Sequence, residues 1–152
     1  MLVSTTEIGS GFAETADPDA LVIGPTGVGL GSDGTLYVAD SVNNRIAAIP
    51  DAVTRTTSAN TGSDVSIGGA LNDPLGLLVA PNGDIVTANG LDGNLVETTP
   101  EGKQVAVDTV ETATGAGSLF GIAIGDNKHG LYFVDDGDNT LKLFTRQKKS
   151  GR

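Results

Sequence analysis

The chain repeats itself. Pro25-Thr-Gly-Val-Gly-Leu-Gly-Ser-Asp-Gly34 runs into Thr35-Leu-Tyr-Val-Ala-Asp40 and then Ser-Val-Asn-Asn-Arg45-Ile-Ala-Ala-Ile49. The same order returns as Pro74-Leu-Gly-Leu-Leu-Val-Ala-Pro-Asn-Gly83, Asp84-Ile-Val-Thr-Ala-Asn89 and Gly-Leu-Asp-Gly-Asn94-Leu-Val-Glu-Thr98. It returns again as Leu119-Phe-Gly-Ile-Ala-Ile-Gly-Asp-Asn-Lys-His-Gly130, Leu131-Tyr-Phe-Val-Asp135 and Asp-Gly-Asp-Asn-Thr140-Leu-Lys-Leu-Phe144. The anchoring glycines Gly27, Gly76 and Gly121 stand 49 and then 45 residues apart. A repeat of this period points to like units stacked in series, each covering an apolar face of its neighbour.

Each unit reads as a run of short antiparallel strands. An inner strand follows the glycine at 28–30, 77–80 and 122–124, with small residues where strands crowd an axis. A Gly/Asn/Asp turn at 32–34, 81–83 and 126–130 supplies the positive φ angles of a tight hairpin. Second strands follow at 36–39, 85–88 and 132–134, third strands at 45–49, 95–98 and 141–144, and outer strands at 65–67 and 104–110. The third unit has no counterpart of the outer strand. No stretch carries an apolar stripe at helical spacing, so the expected fold is all-β. Short strands with turn signals at this period are the pattern of β-propeller blades, antiparallel four-stranded sheets arrayed around a channel.

The blades span about 24–70, 71–112 and 116–146, with a strand-like segment at 2–8 before them and a basic tail at 147–152. Rings of this kind carry roughly four to eight blades, so three do not close one. A homodimer making six blades is the expected partner arrangement, with segment 2–8 of each chain completing the other's last blade.

Composition narrows the function classes. The 152 residues hold 22 Gly and no Cys, which excludes disulfides and thiolate metal sites. No apolar run approaches the ~18–20 residues of a membrane span. A net charge of −10 argues against a nucleic-acid partner. Residues 1–141 carry −15, and five of the nine basic residues, Lys142 among them, lie in the last eleven positions. Such an end reads as a solvated, frayed tail. The opening MLVSTTEIGS has no basic n-region and no long apolar run, so no signal peptide is visible.

The run from Gly24 to Ile46 resembles an NHL repeat, a unit that builds six-bladed propellers. The second and third copies are looser, with Asn89 and Gly93-Asn94 where the first has Asp40 and Asn44-Arg45. The resemblance extends over about 120 residues, and the whole chain is similar to the C-terminal half of larger secreted bacterial NHL-repeat proteins of unassigned function. It implies an extracellular or periplasmic setting for those longer relatives; a cytoplasmic one stays open for this chain. Fold alone fixes no activity.

Asp40, Asn89 and Asp135 end the second strands at matching places, with Asp136 beside the last. Convergent oxygens from successive blades could hold Ca²⁺. Resemblance to calcium-dependent six-bladed lactonases would make Asp40 and Asp135 ligands. It would also require Asn directly before each repeat glycine, where this chain has Thr26, Leu75 and Phe120. The competing expectation is that these side chains hold the turns. Asp135-Asp136-Gly-Asp138 does not match an EF-hand loop, and neither Gly115–Ser118 nor Gly68-Gly69 follows a strand and opens a helix as a phosphate loop does. His129, the only histidine, falls in a turn, and 54–64 is a polar loop able to bind. The expected function is a non-enzymatic binding or scaffold module for a protein, peptide or glycan, with no catalytic residues and no cofactor. The rival is a divalent-cation-dependent hydrolase, lactonase or lyase with a metal at Asp40, Asn89 and Asp135.

Overall fold

In the computed structural model, residues 3–17, 21–112, 118–125 and 130–145 are described. Strands β1 (Thr15–Asp17) and β2 (Leu21–Ile23) pair as a small antiparallel ribbon. The first blade is β3 (Pro25–Leu30), β4 (Leu36–Asp40), β5 (Arg45–Ile49) and β6 (Ser63–Ile67), paired in chain order. The second is β7 (Pro74–Val79), β8 (Ile85–Asn89), β9 (Asn94–Thr98) and β10 (Gln104–Thr109). The third has three strands among the described residues, β11 (Leu119–Ile124), β12 (Leu131–Asp135) and β13 (Thr140–Phe144). Every pairing is antiparallel, and the described residues contain no helix. The fold is all-β, built of propeller blades, the third showing no outer strand among the described residues.

Turn chemistry explains the meander. Gly34 and Gly83 hold φ of 85° and 93° in the first hairpin turns, which an L side chain would resist. One place before each third strand the chain again turns left-handed, at Asn44, Gly93 and Asn139. Asn and Gly are the residues that tolerate this conformation.

Residues 3–8 of the expected closing segment form no strand. Ala59 N–H donates to the Ile8 carbonyl and Ser10 N–H to the Asn60 carbonyl, both at 2.9 Å. The chain therefore joins its own β5–β6 loop at Ile8 and Ser10, at and just past the segment's end. Residues 1–2, 18–20, 113–117, 126–129 (His129 among them) and 146–152, with the expected tail, lie outside the described residues.

Blades pack face to face, and the repeat glycines set the spacing. A Cβ on Gly27 would stand 2.4 Å from Leu77 N, and one on Gly76 only 2.1 Å from Phe120 O. Each inner strand thus lies backbone against backbone on the next. Tyr37, Ala39 and Ile46 of the first blade share a core with Leu77, Ile85 and Val96 of the second. Ala88 and Leu95 of the second share another with Leu119, Leu131 and Phe133 of the third. The remaining face of the first blade, Val38, Ala47 and Ile49, is covered by Phe12, Ala52 and Ala59. Burial of side chains like these, at about 1.5–3 kcal/mol each, dominates the stability.

Candidate functional site

Asp40 closes β4 and is fully buried. Arg45, opposite it in register on β5, donates from Nε to Asp40 Oδ2 at 2.7 Å. Asn43 Nδ2 adds contacts of 3.2 and 3.1 Å to the two carboxylate oxygens. The guanidinium also bonds Asp64 and, at 2.9 Å, the Thr61 carbonyl, and it lies 5.9 Å from the centroid of the Phe12 ring. Burial pulls the Arg45 pKa down, but hydrogen bonds to Asp40 and Asp64 outweigh it and leave the pKa above its ordinary value.

The third blade repeats the scheme with other residues. Asp135 is fully buried, and Lys142 Nζ donates to its Oδ2 at 2.6 Å. The same ammonium lies 2.8 Å from Glu111 and 2.8 Å from Asp138. Hydrogen bonds to Asp135, Asp138 and Glu111 hold the Lys142 pKa well above its ordinary value. Donation by Lys142 and Thr140 holds Asp138 below the usual carboxylate range.

The second blade is neutral at both places. Asn89 is fully buried and donates from Nδ2 to the Ala70 carbonyl at 2.7 Å and to Asp92 at 3.0 Å. Its third strand opens with Asn94, which accepts from Thr109 Oγ1 at 2.7 Å. Acid is matched with base in two blades, whereas in the other the strand-end amide donates to a carbonyl and to the Asp92 carboxylate. A buried carboxylate needs a partner of this kind, because leaving water unpaired costs several kcal/mol.

Asp40, Asn89 and Asp135 therefore occupy equivalent places, but each is engaged by its own surroundings. The carboxylate oxygens of Glu111, Asp135 and Asp138 lie within 4.8 Å of one another, an arrangement that could in principle hold a metal ion. The Lys142 ammonium already bridges all three. Ca²⁺ takes six to eight oxygen ligands, and this donor set, filled by a lysine, does not fit it. Thr26 stands where the lactonase resemblance requires Asn. Its hydroxyl donates to the Leu75 carbonyl at 2.8 Å and meets Ser41 Oγ at 3.1 Å, while Ser41 donates to the Pro74 carbonyl at 2.7 Å. Thr26 is a strut between the first two blades. Leu75 and Phe120 offer no ligand atom in their side chains.

Sequence reasoning missed the roles of Arg45, Glu111 and Lys142. Lys142, counted with the basic tail, belongs to β13 and faces Asp135 across its own hairpin. The signal was present: a base follows the strand-end acid by five residues in one repeat and seven in another, and is absent where that acid is Asn.

The expected binding loop folds back on the body. Arg55 bonds the Pro50 and Thr57 carbonyls, and Ser58 meets Ser10 at 2.8 Å. A more open feature lies between the second and third blades. There a groove of about 420 Å³ is walled by Leu78, Val86, Leu95, Ile124 and Phe144, with Glu97 and Asp108 beside them. Its size and apolar lining suit a small ligand or a peptide side chain.

Residues 23–49 match the NHL repeat family. Among solved structures, virginiamycin B lyase from Staphylococcus aureus aligns at 19% identity and a TM-score of 0.59, over 83% of this chain and 42% of the lyase. Regucalcin from Agrobacterium tumefaciens, a calcium-binding protein, aligns at 20% identity and 0.59, over 73% of this chain and 37% of its own. A gluconolactonase from Xanthomonas campestris aligns at 15% identity and 0.59, over 80% of this chain and 37% of its own. This chain thus spans less than half the length of each. At these identities the likeness is one of fold. A search of the curated proteins found no match.

Proposed function

We propose that this chain, built of β-propeller blades and carrying an NHL repeat at residues 23–49, is a non-enzymatic binding module. The observation that carries this reading is the internal neutralisation of the strand-end acids. Arg45 engages Asp40 and Lys142 engages Asp135, so the positions that would gather a catalytic cation are held by the protein's own cations. The groove between the second and third blades is the seat for a ligand. Its walls suit an apolar side chain, which favours a peptide segment over a glycan.

Two experiments test the reading. Displayed peptide libraries selected on the protein should enrich sequences with an apolar anchor that bind wild type and lose binding to Leu78→Trp, which fills the groove. Undiminished binding to that variant refutes the seat. Incubation with simple lactones and Ca²⁺ should give no turnover above buffer. Turnover lost in Asp135→Asn would establish the rival cation-dependent hydrolase.

A further inference from the structure

The stacking pattern has two internal examples and one open end. In the first blade the face toward the next carries Gly27 on the inner strand, Tyr37 and Ala39 on the second and Ile46 on the third, and the second blade covers it. The equivalent set in the second blade is Gly76, Val86, Ala88 and Leu95, covered by the third. In the third blade the set is Gly121, Tyr132, Val134 and Leu141. Here a Cβ on Gly121 would meet nothing nearer than 3.8 Å, and Tyr132, Val134 and Leu141 are 51%, 36% and 81% exposed. No residue of the set is charged. By composition and register it is the contact face of a blade, and no described residue covers it.

The chain also displays what such a face receives. The first two blades meet through Leu77 and Val79 of β7, which pack on the first blade beside Gly27 and Gly29. The equivalents of those two side chains on β3 are Val28 and Leu30, and they are 56% and 53% exposed. The first and third blades therefore carry the two halves of a blade-to-blade contact, and both are exposed among the described residues.

We propose that a second copy of this chain docks on the third blade, its Val28 and Leu30 seated over Gly121 and against Tyr132 and Val134. A two-fold axis uses both ends of both molecules at once and leaves none open, as closed symmetry requires. Six blades result, within the range of propeller rings. Phe12, Ala52 and Ala59 already cover the outer part of the partner's docking face on its first blade, so Leu141 and Leu143 meet that segment instead of a bare sheet. This proposal rests on the fold and is independent of the ligand groove.

Light scattering after size exclusion of the full 152-residue chain tests it. The expected mass is about twice 15.3 kDa. Leu141→Glu and Val28→Lys should each give a monomer with an unchanged circular dichroism spectrum, because both side chains are exposed in the single chain. Should Leu141→Glu fail to fold, Val28→Lys gives the same readout from the opposite surface. A monomeric wild type at high micromolar concentration overturns the proposal, as does a folded variant that keeps the dimer. A monomer would leave the face to blades of a different chain.

Discussion

Replacing Arg45 by Met asks what the internal cation is worth. Met keeps much of the apolar stem against Phe12 and removes the charge. Two legs are lost with it. Asp64 has a side chain 54% exposed, so that leg resembles a surface ion pair worth at most about 1 kcal/mol. Asp40 has none of its surface exposed, and the Arg45 side chain beside it only 10%. Stranding one member of such a buried pair costs about 3–5 kcal/mol. The two Asn43 contacts to Asp40 persist and place the expected loss toward the lower end, about 3 kcal/mol. The second blade suggests the rescue, since it carries Asn89 at the position of Asp40 and no base at the position of Arg45. Asp40→Asn combined with Arg45→Met should recover most of the loss, leaving about 1 kcal/mol. Urea unfolding followed by circular dichroism reads both variants. A single variant that costs less than about 1 kcal/mol would mean the pair behaves as an exposed one, and the argument fails. It fails equally if the double variant is no more stable than the single.

Further tests address packing and pH. Gly76→Ala drives a methyl to 2.1 Å from the Phe120 carbonyl and should cost about 3 kcal/mol or more, while Gly24→Ala, with nothing nearer than 3.8 Å, should fold almost unchanged; equal costs in thermal melts would refute the blade contact. Thr98 Oγ1 is buried with no hydrogen-bond partner among the described residues, so Thr98→Val should raise stability by about 1 kcal/mol; a loss would reveal a bond to that hydroxyl. Asp138 has a lowered pKa, so its contribution is present above the ordinary value of 3.8 and is lost as pH falls through the folded one. Lys142 has a raised pKa, so its contribution is complete below the ordinary 10.5 and is lost only in stronger alkali. The stability gap between wild type and Lys142→Met should therefore narrow below about pH 4 and stay constant from pH 6 to about 9; a gap independent of pH in acid contradicts the cluster.

How much of this was legible in the sequence follows from which interactions are local. The strands of the three blades could be read because alternating apolar residues and left-handed turn residues are neighbours in the chain. The β1–β2 ribbon escaped because three-residue strands are too short to show a period. Residues 3–8 looked like a strand through Val3, Thr5, Thr6 and Ile8, yet a strand also needs an edge to pair with. Of that segment, Ile8 instead accepts from Ala59 of its own chain. For the candidate site, the matching places of Asp40, Asn89 and Asp135 were visible, whereas their partners were not. A hairpin turns distance along the chain into contact, so Lys142 reads as tail charge in one dimension and as the counterion of Asp135 in three. Glu111 reaches the same lysine from the segment after β10, 31 residues away, which no local pattern encodes.

The claim that these acids serve the fold meets its most direct test in a calorimetric titration of Ca²⁺ into the wild-type protein at neutral pH, with the melting temperature followed in parallel. With Arg45 and Lys142 in place, the expected result is heat of dilution alone and an unchanged melting temperature. A saturable heat that disappears in Asp135→Asn would place a metal where the account places an ammonium, and would contradict it.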